Sequence, residues 1–165
     1  MKSVRLFCML GVIGFLSSSA SSLAFAQGSA KVVKVSPGES LYKIKRGGAA
    51  AQIAVIIEID GDYHINSNRP AEKYLIPTAL KIERTAGLTT TPVTYPKAKL
   101  EKFEFSKKPL SVFEGKTVLK LTVRALPSLA PGSQTLKAKL TVQACNNQQC
   151  LRPQTIDVSI ALQVE

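Results

Sequence analysis

Alternation between apolar and more polar residues is the feature that most constrains how this 165-residue chain can fold. The clearest run covers residues 155–164, and similar runs cover 52–59, 80–83, 119–124 and 136–143. Because successive side chains of a strand point to opposite faces of a sheet, a period of two predicts half-buried strands. Two shorter strands are predicted at 31–35 and 41–45. Turn-forming residues separate the runs, which is typical of an all-β, immunoglobulin-like antiparallel β-sandwich.

The first 26 residues have the pattern of a secretory signal peptide. Lys2 and Arg5 precede an apolar run at 6–16, and Ala24-Phe25-Ala26 fits the small-residue rule for cleavage. We therefore expect residues 1–26 to be removed and residues 27–165 to form one domain, which is soluble in the periplasm after cleavage. Two cysteines would remain in the mature chain, in a compartment where a disulfide can persist.

The net charge of the whole chain is +11 at neutral pH. Two interpretations of this charge stay open: a solvated surface, or attraction to an acidic partner or an anionic membrane face. Nucleic acid is not expected as a partner, because the chain has an export signal and contains no nucleic-acid recognition motif. No serine–histidine–acid set, paired-carboxylate frame or phosphate-binding glycine loop is present, which disfavours a hydrolase.

Cys145 and Cys150 flank the four polar residues 146–149, a common length for a hairpin loop. If the cysteines oppose each other, continuing that register places Leu140 opposite Thr155. A shift by one residue places Leu140 opposite Ile156, so that the apolar residues of both strands share one face. We therefore predict a β-bulge at residues 151–153, where Pro153 is tolerated.

The same register predicts that Cys145 points away from the core, beside Cys150 and reachable from outside. Opposed Cα atoms about 4.5–5.5 Å apart are compatible with a disulfide. A ring this small contributes roughly 2 kcal/mol by chain entropy. The spacing alone leaves three readings open: a structural disulfide, a redox-active pair, or a metal site. The last is the least favoured, because the chain has a single histidine and few soft ligands.

Several phrases of the sequence, in order, resemble the N-terminal periplasmic domain of DsbD, the membrane-bound thiol–disulfide interchange protein. They are YHINSNRP at 63–70, YLIPTALKI at 74–82, YP at 95–96, VFEG at 112–115 and VQACNNQQCLRP at 142–153. The resemblance implies an immunoglobulin-like sandwich. It also implies an electron-transfer function, in which a cysteine pair alternates between dithiol and disulfide without a cofactor.

By this resemblance, Cys145 and Cys150 are the catalytic pair of an exported thiol–disulfide exchange module. Cys150 would form the mixed disulfide with a partner, and Cys145 would be the resolving thiol. The partners would be thioredoxin-fold proteins or a membrane electron carrier, and we expect the module itself to be a monomer. The family also has a loop with an aromatic residue that covers the pair. The irregular segment 95–114, predicted as a long loop or a distorted edge, offers Phe103 and Phe105 for this role.

The sequence also departs from the family pattern. It ends at Glu165, without the membrane and thioredoxin-like domains of full-length DsbD, so the reductant is expected to be another protein. Val142 replaces a frequent aromatic residue, and Arg152 stands where proline is common. The alternative is therefore a non-catalytic binding or structural domain with an inert hairpin disulfide.

Three other residues have candidate supporting or structural roles. Arg152 is a candidate for lowering the pKa of the Cys150 thiol through its charge. Tyr95, before Pro96, is expected at an extended corner and is a second supporting candidate. His64, the single histidine, is interpreted as a structural residue at a strand end rather than a catalytic residue or a ligand.

Overall fold

The computed structural model describes residues 28–165, which form one short 3₁₀ turn and twelve strands. The turn covers Ser29–Lys31. The strands are β1 (Val33–Pro37), β2 (Tyr42–Ile44), β3 (Ala51–Ile59), β4 (His64–Asn66), β5 (Ala79–Ile82), β6 (Leu88–Thr90), β7 (Lys99–Glu101), β8 (Leu110–Glu114), β9 (Lys116–Ala125), β10 (Gly132–Val142), β11 (Ala144–Cys145) and β12 (Gln154–Val164). The predicted signal peptide, residues 1–26, lies outside the described residues.

The strands form three four-stranded sheets. Their orders are β1-β3-β9-β6, β2-β12-β10-β5 and β11-β4-β8-β7, and we call the third the small sheet. All pairings between these strands are antiparallel except that of β12 with β2, which is parallel. The fold is the expected all-β, immunoglobulin-like sandwich. No helix within residues 28–165 has the length and apolar character that crossing a bilayer requires.

One apolar core lies between the sheets, and the alternating residues of the longest strands supply it. Along β9, Leu119, Leu121 and Val123 are at most 2% exposed. Lys120 and Arg124, which point to the opposite face, are exposed. Strands β3, β10 and β12 contribute in the same way. Full burial of one such aliphatic side chain stabilises the fold by about 1.5–3 kcal/mol. We call the buried apolar residues between the sheets the main core.

The register of β10 and β12 is the predicted one. Leu140 opposes Ile156, and the same register continues along both strands from Val142 with Gln154 to Gly132 with Val164. Beyond Val142 the register changes, because the Leu151 N–H donates to the Ala144 carbonyl at 2.8 Å. Gln143 thus lies opposite two residues of the segment that leads into β12. The predicted bulge at residues 151–153 is confirmed.

The shortest elements differ from prediction. The strand predicted at 31–35 begins at Val33, after the 3₁₀ turn, and the one predicted at 41–45 is β2. Strands β4 and β6 were not predicted, because three residues are too few to establish a period of two. The segment predicted as irregular, 95–114, contains the edge strand β7 and its neighbour β8 of the small sheet, joined by an irregular segment. Of these short strands, those of the small sheet carry the candidate site.

Candidate redox site at the outer face of the small sheet

Cys145 and Cys150 are joined by a disulfide, with an Sγ–Sγ distance of 2.06 Å and a Cα–Cα distance of 3.9 Å. The Cα atoms are closer than the predicted separation. The loop between them is held by its own polar groups. Asn146 Oδ1 accepts hydrogen bonds from the backbone N–H groups of Gln148 and Gln149, both at 2.9 Å. The Asn146 N–H donates to the Gln149 carbonyl at the same distance, which closes the turn.

Strand pairing places the disulfide on the outer face of the small sheet. Cys145 opposes His64 of β4, which in turn opposes Glu114 of β8. The neighbouring row of Ala144, Ile65 and Phe113 belongs to the main core. Because side chains alternate across a sheet, the row of Cys145, His64 and Glu114 points the other way. The prediction that Cys145 faces away from the core is therefore confirmed.

The prediction that both cysteines are reachable from outside is wrong for Cys145, which is 0% exposed. Cys150 is half-buried. It packs against a second apolar cluster, separate from the main core, formed by Leu75, Phe103, Leu110 and Val112. We call this the cap cluster. The strand pattern correctly identified the sheet face, but it contained no information about a distant segment that folds over that face.

The covering segment is residues 102–107, which we call the cap segment. Its Phe103 ring stacks on the His64 imidazole, with the ring centroids 3.9 Å apart and the planes 18° apart. Phe105 lies further out, with its centroid 5.6 Å from that of Phe103. The segment is closed by two polar contacts: Lys102 Nζ donates to the Lys107 carbonyl at 2.6 Å, and the Ser106 N–H donates to the Phe103 carbonyl at 3.1 Å. The structure therefore brings both candidate phenylalanines to the site.

His64 occupies an unusual environment at the floor of the site. It is 3% exposed, and its Nε2 atom has no hydrogen-bond partner among residues 28–165. Burial lowers the pKa of His64 from 6.5 to about 4, against the opposing attraction of the nearby Glu114 carboxylate. A buried imidazole loses hydration that favours its charged form, and here that loss is the larger effect. His64 is therefore neutral in the closed structure at neutral pH.

A polar groove of about 760 Å³ adjoins His64 and Phe103. The disulfide loop lines one side of it, and the turn before β4 lines another. Lys99 and Glu114 lie within it and form an ion pair at 2.9 Å. The hydrogen bond that Lys99 Nζ donates to Glu114 Oε2 is the main cause of the raised pKa of Lys99. The groove borders the site on its charged side, whereas the cap cluster borders it on its apolar side.

Two sets of polar contacts that were not predicted connect the site to distant segments. Gln143 Oε1 accepts hydrogen bonds from Asn66 Nδ2 at 3.1 Å and from the Ile76 N–H at 3.0 Å. Asn66 Nδ2 also donates to the Ile76 carbonyl at 3.0 Å. These contacts fix the segment that carries Leu75 of the cap cluster. Asn66 itself is the last residue of β4.

The second set involves Ser29, which is 0% exposed. Its Oγ donates to the Arg152 carbonyl at 2.8 Å and accepts from the Ala144 N–H at 2.9 Å. Ser29 thereby joins the start of the described chain to both strands of the cysteine hairpin. No sequence signal distinguished it from an ordinary polar residue.

The remaining candidates lie further from the sulfur atoms or are exposed. Tyr95 packs against the main core, and its hydroxyl accepts a hydrogen bond from the Leu80 N–H at 2.9 Å, so it is not part of the cap cluster. Arg152 lies two residues beyond Cys150 with an exposed side chain. Within the described part of the chain, no cluster of three or more histidine, cysteine or acidic residues could hold a metal ion.

The family model described as "Thiol:disulfide interchange protein DsbD, N-terminal" matches residues 33–162, which include both cysteines and all the strands except the last two residues of β12. The chain belongs to this DsbD N-terminal family. Members are thiol–disulfide exchange domains, and this chain has the cysteine pair such a domain needs, joined as a disulfide.

Solved structures provide distant likenesses to this DsbD N-terminal domain. The reduced DsbD N-terminal domain of Neisseria meningitidis is 16% identical, with a TM-score of 0.43, and the match covers 70% of this chain and 78% of that one. The E. coli chaperone DraB is 12% identical, with a TM-score of 0.36 and coverages of 81% and 55%. At identities and TM-scores this low, the likenesses carry no functional argument. A comparison with curated protein sequences found no match.

Proposed function

We propose that this domain is an exported thiol–disulfide exchange module, which relays electrons between thioredoxin-fold proteins through Cys145 and Cys150. The observation that carries the proposal is the position of the disulfide, outside the main core and beneath a small separate cluster. A bridge in this position can open and reclose while the sandwich below it stays folded. The proposed location is the periplasm, with the mature chain starting at Gln27.

The difference in burial supports distinct roles for the two sulfur atoms. Cys150 is half-buried at the cap cluster, whereas Cys145 is 0% exposed beside His64. In the dithiol form, the Cys150 thiolate attacks one sulfur of a partner's disulfide, and the partner's other sulfur leaves as a thiolate. The Cys145 thiolate then attacks Cys150, which releases the partner's second thiolate. Two electrons pass to the partner, and this domain becomes the disulfide seen in the structure.

Attack on this disulfide requires the cap segment to move. The incoming sulfur must approach along the axis of the bond, and the cap cluster covers Cys150 on that side of the sheet. We therefore propose that a partner engages an open form, in which Phe103 and Phe105 have left the outer face. Arg152, exposed near Cys150, is proposed to favour the thiolate by its charge.

The test is trapping. The Cys145→Ser variant is mixed with a thioredoxin-fold protein that retains only its attacking cysteine, activated as a mixed disulfide with thionitrobenzoate. A covalent complex is expected with Cys145→Ser and much less of it with the matched control Cys150→Ser, because the remaining Cys145 thiol is buried. Failure of Cys145→Ser to form a complex with every partner tested, while Cys150 reacts with a small reagent, would contradict the relay.

The full burial of Cys145 favours a second candidate, an inert bridge in a binding domain. The two are distinguished by the reduction potential. An inert structural disulfide is expected below about −300 mV, whereas an exchange pair equilibrates with exported oxidoreductases at higher potentials. A potential in the lower range would support the inert bridge.

A further inference from the structure

His64 and Phe103 form the principal aromatic contact between the cap segment and the small sheet. The stack joins β4 to the cap segment, and its 3.9 Å separation is the shortest among the aromatic pairs in residues 28–165. His64 is also the ladder neighbour of Cys145. The same imidazole therefore contacts the cover of the site and lies beside one of its two sulfur atoms.

We propose that His64 is the positioning residue that holds the cap segment closed over the disulfide, and that protonation of its imidazole opens the cap. This inference rests on the proposed exchange function for its biological meaning. Its physical basis does not depend on that function. A neutral imidazole stacks on a phenyl ring without burying a charge. An imidazolium in the same place is a buried charge that has lost its hydration and has no hydrogen-bond partner for Nε2.

The charges around His64 do not compensate for this loss. Glu114 opposes His64 on β8, but its carboxylate is already paired with Lys99 of β7. Asp62 precedes His64 in the adjoining turn and is exposed. On the β11 side the neighbour is Cys145, which does not titrate while it is bonded. The cap segment presents the Phe103 ring, flanked by the exposed side chains of Lys102 and Glu104.

The expected pH dependence follows from linkage. In the closed form the pKa of His64 is about 4, and in an open, hydrated form it returns towards 6.5. Because the pKa of His64 is lower in the closed form, the neutral imidazole stabilises the closed form relative to the open form above pH 6.5. This stabilisation is lost as the pH falls from 6.5 towards 4. For a fully hydrated open form, the open fraction rises about twentyfold from pH 7 to pH 5.

The first experiment measures the rate at which a phosphine reductant reduces the disulfide, in the wild type and in the His64→Phe variant. The ratio of the two rates at each pH removes the reductant's own pH dependence. Phenylalanine keeps an aromatic stack with Phe103 but cannot be protonated. The ratio is expected to rise by up to about twentyfold between pH 7 and pH 5. A ratio that stays constant over this range would overturn the proposal.

The second experiment does not depend on folding of the His64 variant. Because the chain has a single histidine, NMR of the untagged, oxidised protein reports its titration directly. The Phe103→Ala variant is expected to raise the pKa of His64 towards 6.5. An unchanged pKa would show that the cap does not bury the imidazole, which also overturns the proposal. Neither of these two measurements uses a protein partner. If only the trapping experiment with a thioredoxin-fold protein failed, the result would count against the proposed relay and not against this inference.

Discussion

Replacement of Phe103 by alanine tests whether the cap cluster controls access to the disulfide. Phe103 is 7% exposed and stacks on His64. Burial of a phenylalanine side chain contributes about 1.5–3 kcal/mol, and an aromatic pair contributes about 0.5–1.5 kcal/mol more. Loss of only about 2 kcal/mol from the closed form would raise the open fraction by about thirtyfold. We therefore expect Phe103→Ala to accelerate reduction of the disulfide by at least that factor.

The assay is the rate of reduction by dithiothreitol at neutral pH, with thermal unfolding measured in parallel. Two controls separate local from global effects. Phe105→Ala removes a half-buried ring at the edge of the same cluster, so a smaller acceleration is expected. Leu136→Ala removes a side chain that is 1% exposed in the main core, so it should lower the stability without a comparable change in rate.

Two results would refute this reasoning. If Phe103→Ala is reduced within about twofold of the wild-type rate, the cap cluster does not limit access. If Leu136→Ala accelerates reduction as much as Phe103→Ala, then access follows unfolding of the whole sandwich. In either case the cap segment would be a covering element without a gating role.

Three further changes test the packing around the site. Leu140→Ala, at a 0% exposed main-core position, is expected to lower the free energy of unfolding by about 2–5 kcal/mol in a denaturant titration. Gln143→Ala removes the acceptor of the exposed bond from the Ile76 N–H and of the partly buried bond from Asn66 Nδ2, so it is expected to lower the free energy of unfolding by about 0.5–1.5 kcal/mol and to accelerate reduction of the disulfide. The control Gln163→Ala should do neither, and equal effects would contradict the role of Gln143. Ser29→Ala removes both side-chain bonds to the cysteine hairpin and leaves the backbone bond to the Arg152 carbonyl, so faster amide exchange at Ala144 is expected by NMR. Unchanged exchange there would show that the Ser29 side chain does not restrain the hairpin.

The sheet framework was predictable because its information is local. In β10 and β12 the alternation of apolar residues shows directly which face is buried, and matching those faces across the hairpin determined the register. The bulge followed from the conflict between that register and the opposition of the cysteines. Each step needed only the period of a strand and the rule that apolar faces coincide.

The cover of the site was not predictable in the same way. The contact between His64 and Phe103 joins residues far apart in sequence, and no local pattern indicates which loop folds over which sheet face. Cys145 was therefore assigned to the correct face and to the wrong environment. The interpretation of His64 as a structural residue did not include its stack on the cap, because the three buried residues of β4 show no alternation.

Strand β4 separates the main core from the covered outer face of the small sheet. Its middle residue, Ile65, packs in the main core, whereas His64 and Asn66 on either side of it lie on the outer face of the sheet. A one-residue insertion or deletion here would exchange these sides, bringing an imidazole and an amide into the sandwich interior and an isoleucine beneath the cap. This three-residue strand should therefore tolerate changes of length less well than any surface loop of the domain.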